Sequence, residues 1–129
     1  MRSLVLAILL LGTASTAHAA DPLAAGRSAF KRCANCHQVG PNAQSNFGPQ
    51  LNGILGRRAG SLPDYAYSPA MKKAGFAWDE RRLAAFIRDP DAVVPGTRMR
   101  FWGFLSERQV GDIVVYLRSF PPAVAPAKR

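Results

Sequence analysis

Cys33-Ala34-Asn35-Cys36-His37 is a C-x-x-C-H run. It is the attachment signature of a c-type haem: two thiols that can bond to the vinyl groups, with a neighbouring imidazole that can ligate the iron. Other chemistries fit the rest of the chain less well. Beyond its first twenty residues the chain holds two Cys and one His. A structural zinc site needs four ligands and a catalytic one three, so zinc would have to recruit carboxylates. A thioredoxin-type dithiol belongs near a βαβ pattern, and no such pattern is visible. A disulfide between Cys33 and Cys36 would close a very small loop and stabilise little.

Outward from this run, the N-terminus reads as a targeting segment. Met1-Arg2-Ser3 precedes an apolar stretch from Leu4 to Leu11, and small residues end at Ala17-His18-Ala19-Ala20. A positive start, a short apolar core and an A-x-A site describe a secretory signal peptide, cleaved here after Ala19. The apolar stretch is shorter than the about 20 residues that a membrane span needs. The sequence therefore predicts a signal peptide over residues 1–19 and one domain over residues 20–120. A flexible Pro-rich tail over residues 121–129 completes the chain. The protein is expected in the periplasm, not spanning the membrane, with His37 as the only histidine of the mature chain.

The full chain has 17 Lys+Arg against 8 Asp+Glu, a net charge of +9. Loss of Arg2 with the signal leaves +8. Such charge governs solubility and partner choice, not fold. For an exported haem protein it argues against nucleic acid and for an acidic protein surface or an anionic membrane surface.

Periodicity and capping signals predict an all-α domain of about four helices. The first opens at Asp21-Pro22 and runs to about Arg32. A short second one follows Ser68-Pro69 through about Ala74, stopped by Gly75. Asp79 caps a third, with Leu83, Phe86 and Ile87 on one face, ended by Pro90. Ser106 starts the last, whose stripe is Val110, Ile113, Val114 and Leu117, stopped by Pro121-Pro122. Residues 38–63 and 90–105 read as loop. Unstructured loops this long are uncommon in compact domains, and a central haem on which they pack accounts for them. Two methionines are candidates for a second iron ligand. Met71 sits on the short helix beside Lys72 and Lys73, a setting usual for core packing. Met99 lies in the turn-forming stretch Pro95-Gly96-Thr97-Arg98-Met99, which favours it over Met71.

With those motifs in place, the chain resembles the class I cytochromes c, the group of mitochondrial cytochrome c and bacterial cytochrome c2. The resemblance covers roughly residues 22–120. It rests on Cys33 to His37, Gly48-Pro49-Gln50-Leu51-Asn52-Gly53, Gly56-Arg57, Tyr65-Ala66-Tyr67, Trp78 and Pro95 to Met99, in that order and spacing. It implies a small cytochrome c fold around one covalently attached haem c, bound through Cys33 and Cys36. His37 and Met99 would be the metal ligands. The Pro49 carbonyl would accept a hydrogen bond from the other His37 nitrogen, which fixes ring orientation. Arg57, Tyr67 and Trp78 would hold a haem propionate, Thr97 would support the Met99 loop, and Phe101 would cover the haem edge. The first and last helices would cross near Gly26 and Tyr116. Two positions depart from the family: Phe86 replaces a usual tyrosine, and Met71 stands where many members carry asparagine.

With both axial positions filled, the expected function is a soluble periplasmic electron carrier and not an enzyme. Arg27, Lys31, Arg32, Lys72, Lys73, Arg98 and Arg100 would steer a monomer to acidic docking surfaces. Candidate partners are a cytochrome oxidase, a bc1-type complex or a dehydrogenase. The rival reading is a dedicated haem subunit of a periplasmic dehydrogenase, anchored through Phe101-Trp102-Gly103-Phe104-Leu105 or the tail. A gas-binding or peroxidase haem would require Met99 to leave the iron.

Overall fold

A computed structural model describes residues 20–101 and 103–122. Residues 1–19, where a signal peptide is expected, and residues 123–129 of the expected tail lie outside the described residues. Those described form five helices and no strand: α1 Pro22–Phe30, α2 Pro69–Lys72, α3 Glu80–Arg88, α4 Pro90–Val93 and α5 Glu107–Arg118.

Each helix starts where a short polar side chain satisfies orphan backbone N–H groups. Asp21 Oδ1 accepts from the Leu23 N–H at 3.0 Å, with Pro22 pre-set at the first position. Ser68 Oγ accepts from Met71 N–H and Asp79 Oδ1 from Arg82 N–H. α5 has a full capping box. Ser106 Oγ accepts from Gln109 N–H, and Gln109 Oε1 accepts from Ser106 N–H.

α1 is shorter than expected. At Lys31 it gives way to turns, and the Cys36 and His37 N–H groups both bond the Cys33 carbonyl. This turn carries the chain from the helix to the imidazole. α2 likewise ends at Lys72, ahead of Gly75 at φ +74°.

α4 is the one helix beyond the expected four. Pro90 was expected only to end α3, but it also begins α4. Asp89 closes α3, its N–H bonding the Ala85 carbonyl, and its side chain caps α4 by accepting from Ala92 N–H at 3.1 Å. A missing N–H costs nothing in a first turn, so Pro90 stops one helix and starts the next.

α5 packs mainly on α1, and α3 packs on α4 and α5. The α1–α5 crossing needs Gly26, where an added Cβ would lie 2.0 Å from the Asp112 carbonyl oxygen and 2.7 Å from Tyr116 Cβ. Phe30 and Tyr116 stack beside it with ring centroids 5.4 Å apart. Val110 and Ile113 are the most deeply buried large side chains. Trp78 packs edge-on between Phe76 and Phe86 at 4.9 and 5.0 Å. A lone antiparallel bridge pairs Arg58 with Ala77 and ties the long first loop to Trp78.

Candidate haem site

The helices do not close on one another. The apolar stripes of α3 and α5 (Leu83, Phe86, Ile87, Ile113, Leu117) and Trp78 face a cavity of about 410 Å³. That volume is within the usual range for a bound cofactor, about 300–1,000 Å³. Cys33, Cys36, His37, Pro49, Arg57, Tyr67, Trp78, Thr97, Met99 and Phe101 all line it. So does Met71.

The turn after α1 brings Cys33, Cys36 and His37 to the cavity, and neither cysteine is disulfide-bonded. Burial, and then the neighbouring Cys36, push the Cys33 thiol up to about 11. His37 Nδ1 lies 2.8 Å from the Pro49 carbonyl oxygen. A carbonyl only accepts, so Nδ1 carries the proton and Nε2 keeps its lone pair. Burial lowers the His37 pKa, against the Pro49 bond that raises it, and so favours the neutral ring, the ligating form. Gly48 is the platform for this ring. A Cβ at Gly48 would sit 2.5 Å from His37 Cε1. Among the described residues no three His, Cys, Asp or Glu side chains converge as metal ligands, so the zinc donor set is not assembled.

Met99 is held by α4 and the turn behind it. Asp91 Oδ1 accepts from the Gly96 N–H at 3.0 Å, at a Gly96 φ of +87°. The Thr97 N–H bonds the Val94 carbonyl, and buried Thr97 accepts from Met99 N–H at 3.4 Å through Oγ1. Arg100 Nη1 donates to the Thr97 carbonyl at 2.5 Å. Sequence reasoning did not find Asp89 or Asp91, because their work depends on a helix hidden behind a proline.

Arg57 organises the loop between residues 38 and 57. Nη1 donates to the Gln50 carbonyl at 2.7 Å, and Nη2 to the Asn52 carbonyl. Buried Asn52 then pairs with both backbone groups of Gly40, at 2.8 and 2.7 Å. A guanidinium has five N–H bonds, so these contacts leave donors for a carboxylate. Burial lowers the Arg57 pKa and raises that of Tyr67, and each partly offsets the other. Phe86 and Met71, the two departures from the family, are buried and line the cavity, so both place apolar groups there.

The residues present fit a covalently held haem. Two thiols and a neutral imidazole stand on one turn, and glycine leaves room for the ring. A thioether reaches the same apolar cavity, and Arg57 has donors to spare for an acidic group. A helical domain built round such a cavity belongs to the class of c-type haem proteins.

Comparison with known proteins agrees. The family described as Cytochrome c matches residues 23–121. Cytochrome c2 of Blastochloris viridis is 41% identical over 120 residues, covering 93% of this chain and 94% of its own. Cytochrome c-550 of Bradyrhizobium diazoefficiens is 41% identical over 97 residues, or 75% of this chain and 71% of its own. Among solved structures, cytochrome cH from Methylobacterium extorquens aligns with a TM-score of 0.69 at 40% identity, covering 75% of this chain and 97% of its own. Cytochrome c2 from Rhodospirillum centenum aligns at 0.72 and 34% identity, covering 79% and 99%. The chain belongs to the cytochrome c family. Its cofactor is a covalently attached haem c, and its class of function is electron transport.

Proposed function

We infer that the chain is a periplasmic single-electron carrier whose haem iron is ligated by His37 and Met99. One observation carries the reading: a neutral imidazole and a thioether line the same cavity, the ring held by the Pro49 carbonyl and the methionine by its backbone N–H bond to Thr97. The bound haem supplies one-electron chemistry at its iron, and His/Met ligation raises its potential. The chain's residues do the rest. Cys33 and Cys36 tether the group, and Pro49 orients His37. Thr97 and α4 hold the Met99 segment in place, so that Met99 would stay available to the iron and would keep substrate from it. Arg57, with Tyr67 and Trp78, stabilises an acidic edge that would otherwise be an unpaired buried charge. Phe101 covers an edge of the site. The mostly apolar lining would lower solvent access around the group, which bears on its potential.

Residues 1–19 direct export, the domain spans residues 20–120, and residues 121–129 form its tail. No helix among the described residues is long and apolar enough to cross a membrane. The partners are acidic docking surfaces of redox proteins, such as an oxidase, a bc1-type complex or a dehydrogenase. Among the described residues Arg32, Arg98 and Arg100 line the cavity and no carboxylate does, which supports that choice. The ligand assignment is tested by the sulfur-to-iron band of the oxidised protein. Met99→Ala loses the band and Met71→Leu keeps it. Loss of the band on changing Met71 would transfer the ligand role to that residue.

A further inference from the structure

Two phenylalanines are the most exposed of the large hydrophobic side chains among the described residues. Phe47 is 79% and Phe104 96% exposed. Neither is a loose end. The Tyr65 hydroxyl donates to the Phe47 carbonyl at 2.8 Å, and Arg32 Nη1 donates to the Phe104 carbonyl at 3.1 Å. Tyr65 and Arg32 both line the haem cavity, as does Phe47 itself. Each outward phenyl ring is therefore carried on a backbone pinned to the rim of that cavity.

The charge around them is uncompensated. The ion pairs among the described residues are Arg82–Asp79, Arg88–Glu107 and Arg118–Glu80. The rim arginines donate instead to backbone carbonyls, Arg32 to Phe104, Arg98 to Ala66 and Arg100 to Thr97. A carbonyl positions a guanidinium without neutralising it, so the rim keeps its positive field.

We propose that Phe47 and Phe104 are the apolar anchors of the docking face, and that they fit a redox partner with an apolar recess rimmed by carboxylates. This rests on the carrier reading above. Transient electron-transfer interfaces bury less than about 1,200 Å² in total. An aromatic side chain can bury about 150–250 Å², so two of them make up much of such a contact. Arginines beyond the rings set encounter rate and orientation. The backbone at each ring is already held by its hydrogen bond, so docking has mainly the side chain left to order. Phe104 is the cleaner of the two, because it does not line the cavity.

The test measures oxygen uptake by a purified membrane cytochrome c oxidase with the haem-loaded protein as electron donor. Wild type, Phe104→Ala and Phe104→Leu are compared. The midpoint potential and the reaction with ascorbate are recorded for each. The expected result for Phe104→Ala is a KM raised about thirtyfold, the size of a hot-spot loss, with kcat, potential and ascorbate rate unchanged. The extra loss persists at high salt, and Phe104→Leu recovers most of the affinity. An unchanged KM in Phe104→Ala, with wild type active, would overturn the anchor and leave the carrier reading standing. A wild-type protein that ascorbate reduces but the oxidase cannot oxidise would overturn both.

Discussion

At Gly48 a single hydrogen keeps His37 in place. Any larger group meets the imidazole at well under contact distance. Gly48→Ala is therefore expected to displace the ring from the Pro49 carbonyl. It should lower the yield of haem-loaded protein and shift its midpoint potential, both read from the visible spectrum. Arg57 is a second such point. Arg57→Met leaves the buried loop carbonyls of Gln50 and Asn52 without their donor. Each such group costs about 1–3 kcal/mol, so a denaturant titration should show a loss of about 2 kcal/mol or more. The pentapeptide, Arg57 and Met99 were legible because their chemistry is local or their order is distinctive. The seat that Gly48 provides was not legible as chemistry. It depends on residues eleven apart being folded face to face, and glycine in a loop carries no sign of what it makes room for. The outward placement of Phe47 and Phe104 was hidden for the same reason, since an aromatic residue in sequence is more often inside.

At the scale of elements, capping signals located the start of each of the four expected helices. Asp21, Ser68, Asp79 and Ser106 do stand at the N-caps. The helix ends moved by one or two residues, because the closing turns of α1 and α2 tighten before the chain leaves. α4 was missed because Asp89-Pro90 serves two helices at once, and a four-residue helix has too few positions to show a period. Its cap is expected to matter to the loop it holds. Asp89→Ala should cost about 1 kcal/mol, the usual worth of an N-cap, and weaken the sulfur-to-iron band by loosening Met99. The α1–α5 crossing makes a sharper prediction. Gly26→Ala sets a methyl group into the Asp112 carbonyl and Tyr116. Overpacking of that kind costs about 1–3 kcal/mol, and thermal unfolding should show it with the C-x-x-C-H site untouched in sequence.

For the whole molecule, the domain is a set of short helices and pinned loops whose apolar faces turn inward on one cavity. The long loops add Ile54 and Ala59 to the buried core that the helices share. They are knotted by Arg57 and Asn52 and bridged to Trp78, and they frame the site. Among the described residues its lining is mostly apolar with arginines and no carboxylate, while the ion pairs join α5 to α3 or lie at the α3 start. That division predicts that oxidation by an acidic partner slows as ionic strength rises, while reduction by ascorbate responds in another way because its charge and size differ. The central claim is a closed His37/Met99 site, and the most direct test is the reduced visible spectrum of the mature, haem-loaded protein with and without carbon monoxide, alongside a redox titration. A six-coordinate spectrum that carbon monoxide leaves unchanged, with a positive midpoint potential, is the predicted result. Ready binding of carbon monoxide, or a strongly negative potential, would contradict it and mean that the iron is open or held by other ligands.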